Sequence, residues 1–429
     1  MSQPADRTAA DSATPHPETQ MVALGHEPSS AAGAVKPPVY LSSTFAFRTA
    51  EDGAHFFDVV SGRVPLAPGE SPGLVYSRFD NPNLQVAEAR LAALDGSQAA
   101  LVTASGMAAI SAVLLTFLRP GDQIVQSAPL YGGTETLIAR ILREWGIGSH
   151  VIADGLSPAA MGQALQAAAA HGPLRLCYVE TPANPTNALI DLEALVAQID
   201  AFEARHGTRP VSVCDNTLLG PIFQQPARHG IDLSVYSLTK YVGGHSDLVA
   251  GGVTGRRALL DRVRATRGAF GMQCDPHTAW LLARSMETVV LRMRQAAQSA
   301  STVARWLAGN PYRPVRVHHP EWVDDAAYQA VYRRQCTAAG STFSFVLEGG
   351  RAEAFAFINA LRRFNRFKST VSLGGSESLV RNPASTTHSG VSAAQREADG
   401  VSEGLVRLSI GLEHAGDLVA DLQQALQAR

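Results

Sequence analysis

Cysteine is scarce in this chain of 429 residues, which contains only four, at positions 177, 214, 274 and 336. No two of them have the spacing of a metal site or of a disulfide framework, which argues against zinc modules and disulfide-stapled secreted domains. The thirteen histidines show no H-x-x-x-H or Cys/His grouping either. We therefore expect no metal centre.

A large net charge of either sign is also missing. The 36 Lys and Arg residues nearly balance the 38 Asp and Glu residues, so the net charge is −2. With an isoelectric point near 6.7, no basic face is predicted for binding nucleic acid or an anionic membrane. We expect a small-molecule partner, with no nucleic acid and no membrane.

An uninterrupted hydrophobic run of membrane length is absent as well. The longest apolar stretch, residues 99–118, contains polar residues and a glycine, and we interpret it as a strand, a glycine turn and a helix. Residues 1–20 are rich in Ala, Ser, Thr and Pro and lack an apolar targeting segment. We expect them to form a disordered tail on a cytoplasmic protein.

The chain does contain enough apolar sequence, 45% of its residues, for one large domain and a smaller one. Helical patterns alternate with strand patterns, which predicts an α/β fold with a mostly parallel, helix-covered sheet. Its strands are predicted at residues 123–126, 150–153, 174–180, 211–215 and 233–238. One long helix is predicted over residues 275–309, followed by smaller-domain strands at 341–347, 370–373 and 405–410.

Lys240 lies between hydroxyl residues and a Gly-Gly turn, directly after one of these apolar runs. Burial lowers the pKa of a lysine, so that its amine can attack a carbonyl carbon. The hydroxyls of Ser237 and Thr239 could bind one anion, such as a phosphate. The alternative interpretation is a surface lysine that follows a buried strand.

Two further segments fit the same kind of site. Asp215 ends a short strand pattern, where its carboxylate could pair with a protonated pyridine nitrogen or could cap a helix. The turn at Ser105 and Gly106 joins a strand pattern to a helix pattern and would point backbone N–H groups at an anion. Ligands of such sheets bind at the carboxyl ends of the strands.

Together these segments resemble the Cys/Met-metabolism family of pyridoxal-phosphate (PLP) enzymes, the cystathionine γ-synthase-like group. The resemblance runs from about residue 39 to the C-terminus. Its matching blocks, in order, are YSRFDNPN, ASGMAAI, LYGGT, ETPANPT, CDNT, YSLTKYVGGHSD, SLGGSESL and GLVRLSIGLE. Eight blocks in this order are very specific.

The resemblance implies the fold type I of PLP-dependent transferases, like that of aspartate aminotransferase, with a smaller C-terminal α/β domain. It divides the chain into an N-terminal tail and interface arm (1–75), a large PLP-binding domain (76–274), and a linking helix with the C-terminal domain (275–429). The family also implies a homotetramer, a dimer of dimers with shared active sites.

Residue by residue, the resemblance implies that Lys240 attaches covalently to the cofactor, that Asp215 holds its ring nitrogen, and that Tyr131 stacks on the ring and moves protons. Arg407 would bind the substrate carboxylate, assisted by Ser372. Arg78 and Tyr76 would reach the cofactor phosphate of the neighbouring subunit. The implied cofactor-binding set is Tyr76, Arg78, Gly106, Met107, Tyr131, Asn184, Asp215, Ser237, Thr239 and Lys240.

The departures from the family bear on the substrate. Methionine γ-lyases usually carry a cysteine where this chain has Gly133, and members that act on cystathionine usually carry a glutamate where it has Val371. We expect γ-elimination of a sulfur amino acid, giving a 2-oxo acid, ammonia and a thiol. The alternatives are γ-replacement on an O-acylhomoserine and, more remotely, an aminotransferase or a PLP-binding protein without turnover.

Overall fold

A computed structural model describes residues 15–66, 73–311, 316–361 and 366–428. Its larger sheet has seven strands: β1 (Ala99–Thr103), β2 (Gln123–Gln126), β3 (Gly148–Val151), β4 (Leu174–Glu180), β5 (Val211–Asp215), β6 (Leu233–Tyr236) and β7 (Gly251–Gly255). Their order is β1-β7-β6-β5-β4-β2-β3. Only β7 runs antiparallel to its neighbours. The predicted mostly parallel sheet is therefore confirmed.

The smaller sheet has five strands: β8 (Arg316–His318), β9 (Thr342–Val346), β10 (Phe367–Ser369), β11 (Ser378–Arg381) and β12 (Leu405–Ser409). Their order is β10-β11-β12-β9-β8, and only β10 and β11 pair in parallel. The two sheets draw on separate stretches of the chain, before and after the predicted linking helix. The predicted domain limit at residue 275 stays a prediction.

The helices are α1 (Pro17–Ala23), α2 (Ala50–Val60), α3 (Pro82–Asp95), α4 (Gly106–Phe117), α5 (Gly132–Thr136), α6 (Pro158–Ala169), α7 (Leu192–His206), α8 (Arg257–Phe270), α9 (Pro276–Met286), α10 (Val289–Gly309), α11 (Ala326–Gln335), α12 (Gly350–Leu361), α13 (Ala393–Ala398) and α14 (Ala415–Gln427). A π-helical turn, Leu137–Leu142, continues α5. Short 3₁₀ turns lie at Pro28–Ala31, Pro226–His229, Pro320–Trp322 and Pro383–Ser385.

Helices cover both faces of the larger sheet. One apolar core joins α4 and α8 to the sheet, and another joins α6 and α7 to its opposite face. A third core packs α10, α12 and α14 against the smaller sheet. None of the described helices is long and apolar enough to cross a membrane.

The predicted long helix over residues 275–309 is wrong in one respect, because two helices, α9 and α10, occupy this range. Thr288, with φ −116° and ψ 5°, interrupts the helical backbone. The Arg292 side chain fills the break by donating to the carbonyl oxygens of Ser285 (2.8 Å), Tyr241 (2.8 Å) and Val242 (3.0 Å). The guanidinium thus ties the end of α9 to the segment that follows Lys240.

The predicted strand at residues 370–373 is also wrong, since β10 ends at Ser369. Beyond it the backbone bonds to side chains and not to a neighbouring strand. The carbonyl of Val371 accepts from Arg381 Nη1 (2.7 Å), and that of Ser372 accepts from Arg407 Nη2 (2.5 Å). The strand β11, close behind this loop, was not predicted.

The disordered tail predicted for residues 1–20 extends too far along the chain. Residues 1–14 lie outside the described residues, but α1 begins within the predicted tail, with Pro17 in its first turn. Met21 of this helix is fully buried in a core shared with α3 and α9. Burial of one large apolar side chain is a tertiary contact that the polar composition of the tail concealed.

Candidate active site

A cavity of about 240 Å³ lies between the carboxyl edge of the larger sheet and the smaller sheet. Strand order explains its place, because the parallel strands β4, β5 and β6 all end at this edge. The lining residues are Ser105, Gly106, Met107, Ile110, Tyr131, Glu180, Asn184, Asp215, Thr217, Leu218, Ser237, Thr239, Lys240, Val249, Val371, Leu373, Arg381 and Arg407.

Lys240 follows β6 and points its amine across the cavity. Its Nζ donates to Ser372 Oγ at 3.0 Å. Burial, followed by the charges of Arg407 and Arg381, lowers the pKa of Lys240 to about 8. A lysine in this environment gives up its proton far more readily than a surface lysine, which a nucleophilic amine requires.

Asp215 ends β5 with its carboxylate buried, 7% exposed. Oδ1 accepts from the backbone N–H (3.1 Å) and the hydroxyl (2.6 Å) of Thr217, and Oδ2 accepts from the phenol of Tyr178 (3.2 Å). These donors are all neutral. Burial raises the pKa of Asp215 despite them, and no cation of the described residues forms an ion pair with the carboxylate.

Glu180 stands beside Asp215, since the two residues pair in register on β4 and β5. Its carboxylate accepts from the backbone N–H of Tyr131 (2.6 Å) and of Asn184 (2.9 Å). Burial and then the charge of Asp215 raise the pKa of Glu180 to about 8. Two adjacent buried acids favour sharing a proton unless a cation enters the cavity.

The N-terminus of α4 forms the other end of the cavity and contacts Ser237. Ser105 caps this helix by accepting from the N–H of Ala108 (3.0 Å). A Cβ added to Gly106 would stand 2.9 Å from the Cβ of Ser237, so only glycine permits this close approach. The first N–H groups of a helix have no partner inside it, and they bind anions readily.

Thr239 lines the same cavity, but its hydroxyl has a partner already. Its Oγ1 donates to the carbonyl of Ala250 (3.1 Å) and accepts from the N–H of Ala250 (3.0 Å). To donate to a phosphate, the hydroxyl would have to turn away from this carbonyl. Thr217 adds a link that was not predicted, because its hydroxyl oxygen accepts from the N–H of Ser237 (2.9 Å) while bonded to Asp215.

Tyr131 precedes α5, and its ring is 42% exposed at the cavity. A Cβ at Gly133 would lie 2.6 Å from a ring carbon of Tyr131 and 3.1 Å from the sulfur of Met107. The glycine therefore leaves room for the ring against the first turn of α5. A cysteine, as most methionine γ-lyases carry here, would have to displace this ring.

Arg407 reaches the cavity from β12 and is 1% exposed. Its Nη1 donates to Asn184 Oδ1 (3.0 Å) and its Nη2 to the carbonyl of Ser372 (2.5 Å). Arg407 Nε has no hydrogen-bond partner among the described residues. A guanidinium with a free donor in a cavity is well suited to a carboxylate.

Tyr76 and Arg78 lie outside this cavity. Tyr76 is 40% exposed. Arg78 Nη1 donates to the carbonyl of Gly268 (2.5 Å), and its guanidinium lies 4.2 Å from the centre of the Phe79 ring. The structure thus brings together the other predicted site residues of this chain, with Ser372 bonded to Lys240, and leaves these two apart.

Comparison with known proteins decides the family. The sequence pattern of the family described as "Cys/Met metabolism PLP-dependent enzyme" matches residues 18–427. The chain belongs to this family. The family resemblance read from the eight sequence blocks is therefore confirmed, and with it the expectation of a PLP-dependent enzyme.

Individual relatives support the same family. The chain is 40% identical to an L-methionine γ-lyase of Pseudomonas putida, over 96% of this chain and 97% of that protein. It is 33% identical to an O-succinylhomoserine sulfhydrylase of Pseudomonas aeruginosa, over 91% and 90% of the two chains. A cystathionine γ-synthase structure from Xanthomonas oryzae pv. oryzae has a TM-score of 0.84 at 33% identity, covering 97% of this chain and 99% of that chain. The expected fold type is confirmed.

The residues of the cavity fit PLP. At one end, the N-terminus of α4 and the hydroxyl of Ser237 suit a phosphate. In the middle, the buried acids Asp215 and Glu180 lack the cation that a protonated ring nitrogen supplies. Lys240 has the lowered pKa that covalent attachment requires. Each of these features is observed in this chain and does not depend on a relative.

Three polar residues of the cavity were not predicted from the sequence. Glu180 and Thr217 lie inside two of the matching blocks, so their positions carried a signal that was not used. Arg381 lies just past the end of a block, and nothing in its local sequence marks it as a cavity residue. Only the pairing of β11 with β12 places it there.

Proposed function

We propose that this enzyme catalyses γ-elimination from a sulfur-containing amino acid, which yields a 2-oxo acid, ammonia and a thiol. The observation that carries the proposal is the placement of Lys240 Nζ, bonded to Ser372, in one cavity with the buried Arg407. Arg407 can hold an α-carboxylate while the lysine acts at the neighbouring carbon. The 40% identity to an L-methionine γ-lyase supports the sulfur substrate.

In this proposal the cavity residues divide the binding of PLP among them. The N–H groups of Gly106 and Met107 would hold the phosphate together with the hydroxyls of Ser237 and Thr239. Asp215 would pair with the ring nitrogen, and Asn184 would contact the ring hydroxyl. Tyr131 would pack against the ring. When bound, the cofactor supplies an electron sink for negative charge that develops at the substrate Cα.

The side chains of the protein move the protons. Lys240 would take the proton from Cα and then help to move a proton at Cβ. Ser372 would position its amine through the 3.0 Å hydrogen bond. The phenol of Tyr131 would donate a proton to the leaving sulfur. Glu180 acts as a positioning residue, because it holds the backbone N–H groups of Tyr131 and Asn184.

The second candidate is γ-replacement on an O-acylhomoserine. The 33% identity to an O-succinylhomoserine sulfhydrylase favours it, as does Gly133 in place of the usual cysteine of methionine γ-lyases. The two reactions share the Cα and Cβ proton transfers. They differ in whether the species that remains after the γ-substituent has left reacts with water or with a thiol. A single assay therefore separates the two reactions.

The assay measures 2-oxo acid release by purified enzyme from methionine, homocysteine, cystathionine and acylated homoserines, with and without sulfide. We expect release from methionine or homocysteine without sulfide. We also expect cystathionine to have the lowest kcat/KM of the panel, because Val371, 65% exposed at the cavity, offers no charge to the distal ammonium.

Two outcomes would contradict this prediction. Homocysteine formed only when sulfide is added, with no release of 2-oxo acid, would show γ-replacement instead of γ-elimination. A kcat/KM for cystathionine above all other substrates would show that the distal ammonium finds a partner that Val371 does not provide. Pyruvate or an amino-group transfer to a 2-oxo acid would indicate other chemistry of the same fold.

We further propose a cytoplasmic homotetramer whose active sites are shared between subunits. All four cysteines are buried free thiols, which agrees with a reducing compartment. Apolar side chains near the N-terminus and at Phe270 are exposed in the single chain, for example Val35 (81%), Leu41 (74%) and Phe270 (64%). Such exposure supports an interface, and Arg78 would reach the partner's phosphate from there.

Mixed oligomers test the shared site. Arg78→Ala should weaken cofactor retention, since a phosphate loses a charge-assisted contact worth about 1.5–3 kcal/mol. Lys240→Ala should abolish turnover. After co-refolding in equal amounts, random pairing should restore about a quarter of wild-type activity, because each mixed dimer contains one site with both native residues.

The matched control is a mixture of Lys240→Ala with Asp215→Asn. Both residues belong to the same cavity, so no mixed dimer contains an intact site, and this mixture should stay inactive. Equal inactivity of both mixtures would mean that Arg78 acts within its own chain.

A further inference from the structure

Two arginines stand directly opposite each other at the cavity. Arg381 on β11 and Arg407 on β12 are register partners in an antiparallel pair. They are 4% and 1% exposed, and both line the cavity. Like charges at opposing positions of two strands destabilise a sheet, and burial adds to the cost. The arrangement therefore requires a compensating charge.

None of the described residues forms an ion pair with either arginine. Arg381 donates to the carbonyl of Val371 (2.7 Å) and to Thr387 Oγ1 (3.0 Å), which are neutral acceptors. Neither Arg381 Nε nor Arg407 Nε has a hydrogen-bond partner among the described residues. Burial lowers the pKa of Arg381 to about 10, and burial with the charge of Arg381 lowers that of Arg407.

One substrate carboxylate satisfies only one of these cations. Arg407 is the guanidinium bonded to Asn184 and to Ser372, the partner of Lys240, so it faces the reacting carbon. The groups proposed for the phosphate belong to the larger sheet and to α4, whereas Arg381 belongs to the smaller sheet. Arg381 thus has no negative partner among the described residues and lines the cavity.

We propose that Arg381 binds a second anionic group, carried at the far end of the substrate's γ-substituent. The preferred substrates are then amino acids whose γ-thioether or γ-ester chain ends in a carboxylate without a neighbouring ammonium. This inference rests on the proposed function and narrows its substrate class. Cystathionine carries an ammonium beside its distal carboxylate; the two guanidinium groups repel this ammonium, and Val371 offers it no partner.

Ligand binding to the holoenzyme tests the proposal without any substitution. The probes are norleucine, 2-aminoadipate and 2-aminopimelate, which have no leaving group at Cγ. Homoglutamine, the side-chain amide of 2-aminoadipate, is the uncharged control of equal size. We expect at least one dicarboxylate to bind about 10- to 100-fold more tightly than norleucine, the worth of one charge-assisted contact. The amide should bind like norleucine.

Variants then assign the effect to Arg381. In Arg381→Gln the ratio between the dissociation constants of norleucine and the best dicarboxylate should fall to about one. Arg381→Lys should keep part of the preference, because it keeps the charge without the planar fork. The control is Arg351→Gln, an exposed arginine of the smaller domain paired with Glu403 (2.6 Å), which should keep the wild-type ratio.

Turnover provides a second measurement. Wild-type enzyme should have a higher kcat/KM for O-succinylhomoserine than for O-acetylhomoserine, and Arg381→Gln should lose this difference mainly through KM. Equal weakening of all ligands in Arg381→Gln would place Arg381 on the α-carboxylate and overturn the proposal. An absent dicarboxylate preference in the wild type would overturn it as well, even if the variant fails to fold.

The two proposals fail separately. If methionine and homocysteine release 2-oxo acid but no dicarboxylate preference is found, the second-anion site is wrong and the proposed function stands. If the dicarboxylates bind tightly but no substrate releases 2-oxo acid, γ-elimination is wrong and the second-anion site stands.

Discussion

Replacement of Lys240 by alanine is expected to remove covalent cofactor attachment and to lower turnover by at least ~10³-fold, since one group both attaches the cofactor and transfers protons. Lys240 is the amine in the cavity, with a pKa lowered to about 8 by burial and by Arg407 and Arg381. The measurements are the visible absorbance of the bound cofactor and kcat for the best substrate.

Borohydride reduction followed by peptide mapping locates the attachment directly. The chain has only three lysines, Lys36, Lys240 and Lys368, so the experiment has few alternatives. The label should appear on Lys240. Lys36→Arg is a suitable control, because Lys36 is exposed, pairs with Glu287 (2.7 Å) and should keep both label and activity. A label on Lys36 or Lys368 would contradict the assignment of Lys240 as the lysine that attaches to the cofactor.

Asp215→Asn is expected to slow exchange of the substrate α-proton with solvent deuterium by on the order of a hundredfold or more, while the cofactor still binds. The asparagine keeps the shape of the side chain but removes the charge that favours a protonated ring nitrogen. Exchange is followed by NMR, and cofactor content by absorbance.

The control for burial is Asp95→Asn. Asp95 is also buried and bonded to neutral hydroxyl groups, those of Ser97, Thr254 (2.7 Å) and Tyr236, but it does not line the cavity. It should exchange the α-proton at close to the wild-type rate. Unchanged exchange in Asp215→Asn would mean that the ring nitrogen does not depend on this acid.

Several features of the cavity could be predicted because their causes are local. Asp215 and Lys240 each follow an apolar run, and parallel strands bring their carboxyl ends to one edge of a sheet. Gly106 opens a helix after a strand, which needs no contact from elsewhere. The strand predicted at residues 370–373 was wrong because its carbonyls bond the side chains of Arg381 and Arg407, which follow later in the chain. The single long helix predicted over residues 275–309 was wrong because Arg292 bonds carbonyls of residues 241 and 242 as well as that of Ser285, a contact between distant segments.

What the sequence alone determined about this protein is its family and its alternating strands and helices, and it predicted the lysine and the acid of the site, since each depends on neighbours in the chain. Tertiary structure decided the contacts between distant segments. Lys240 bonds Ser372 across 132 residues, and Arg407 bonds Asn184 across 223. The placement of Arg381 against Arg407 follows from strand pairing. Local propensity does not set such pairs, because packing of the two sheets determines which side chains meet.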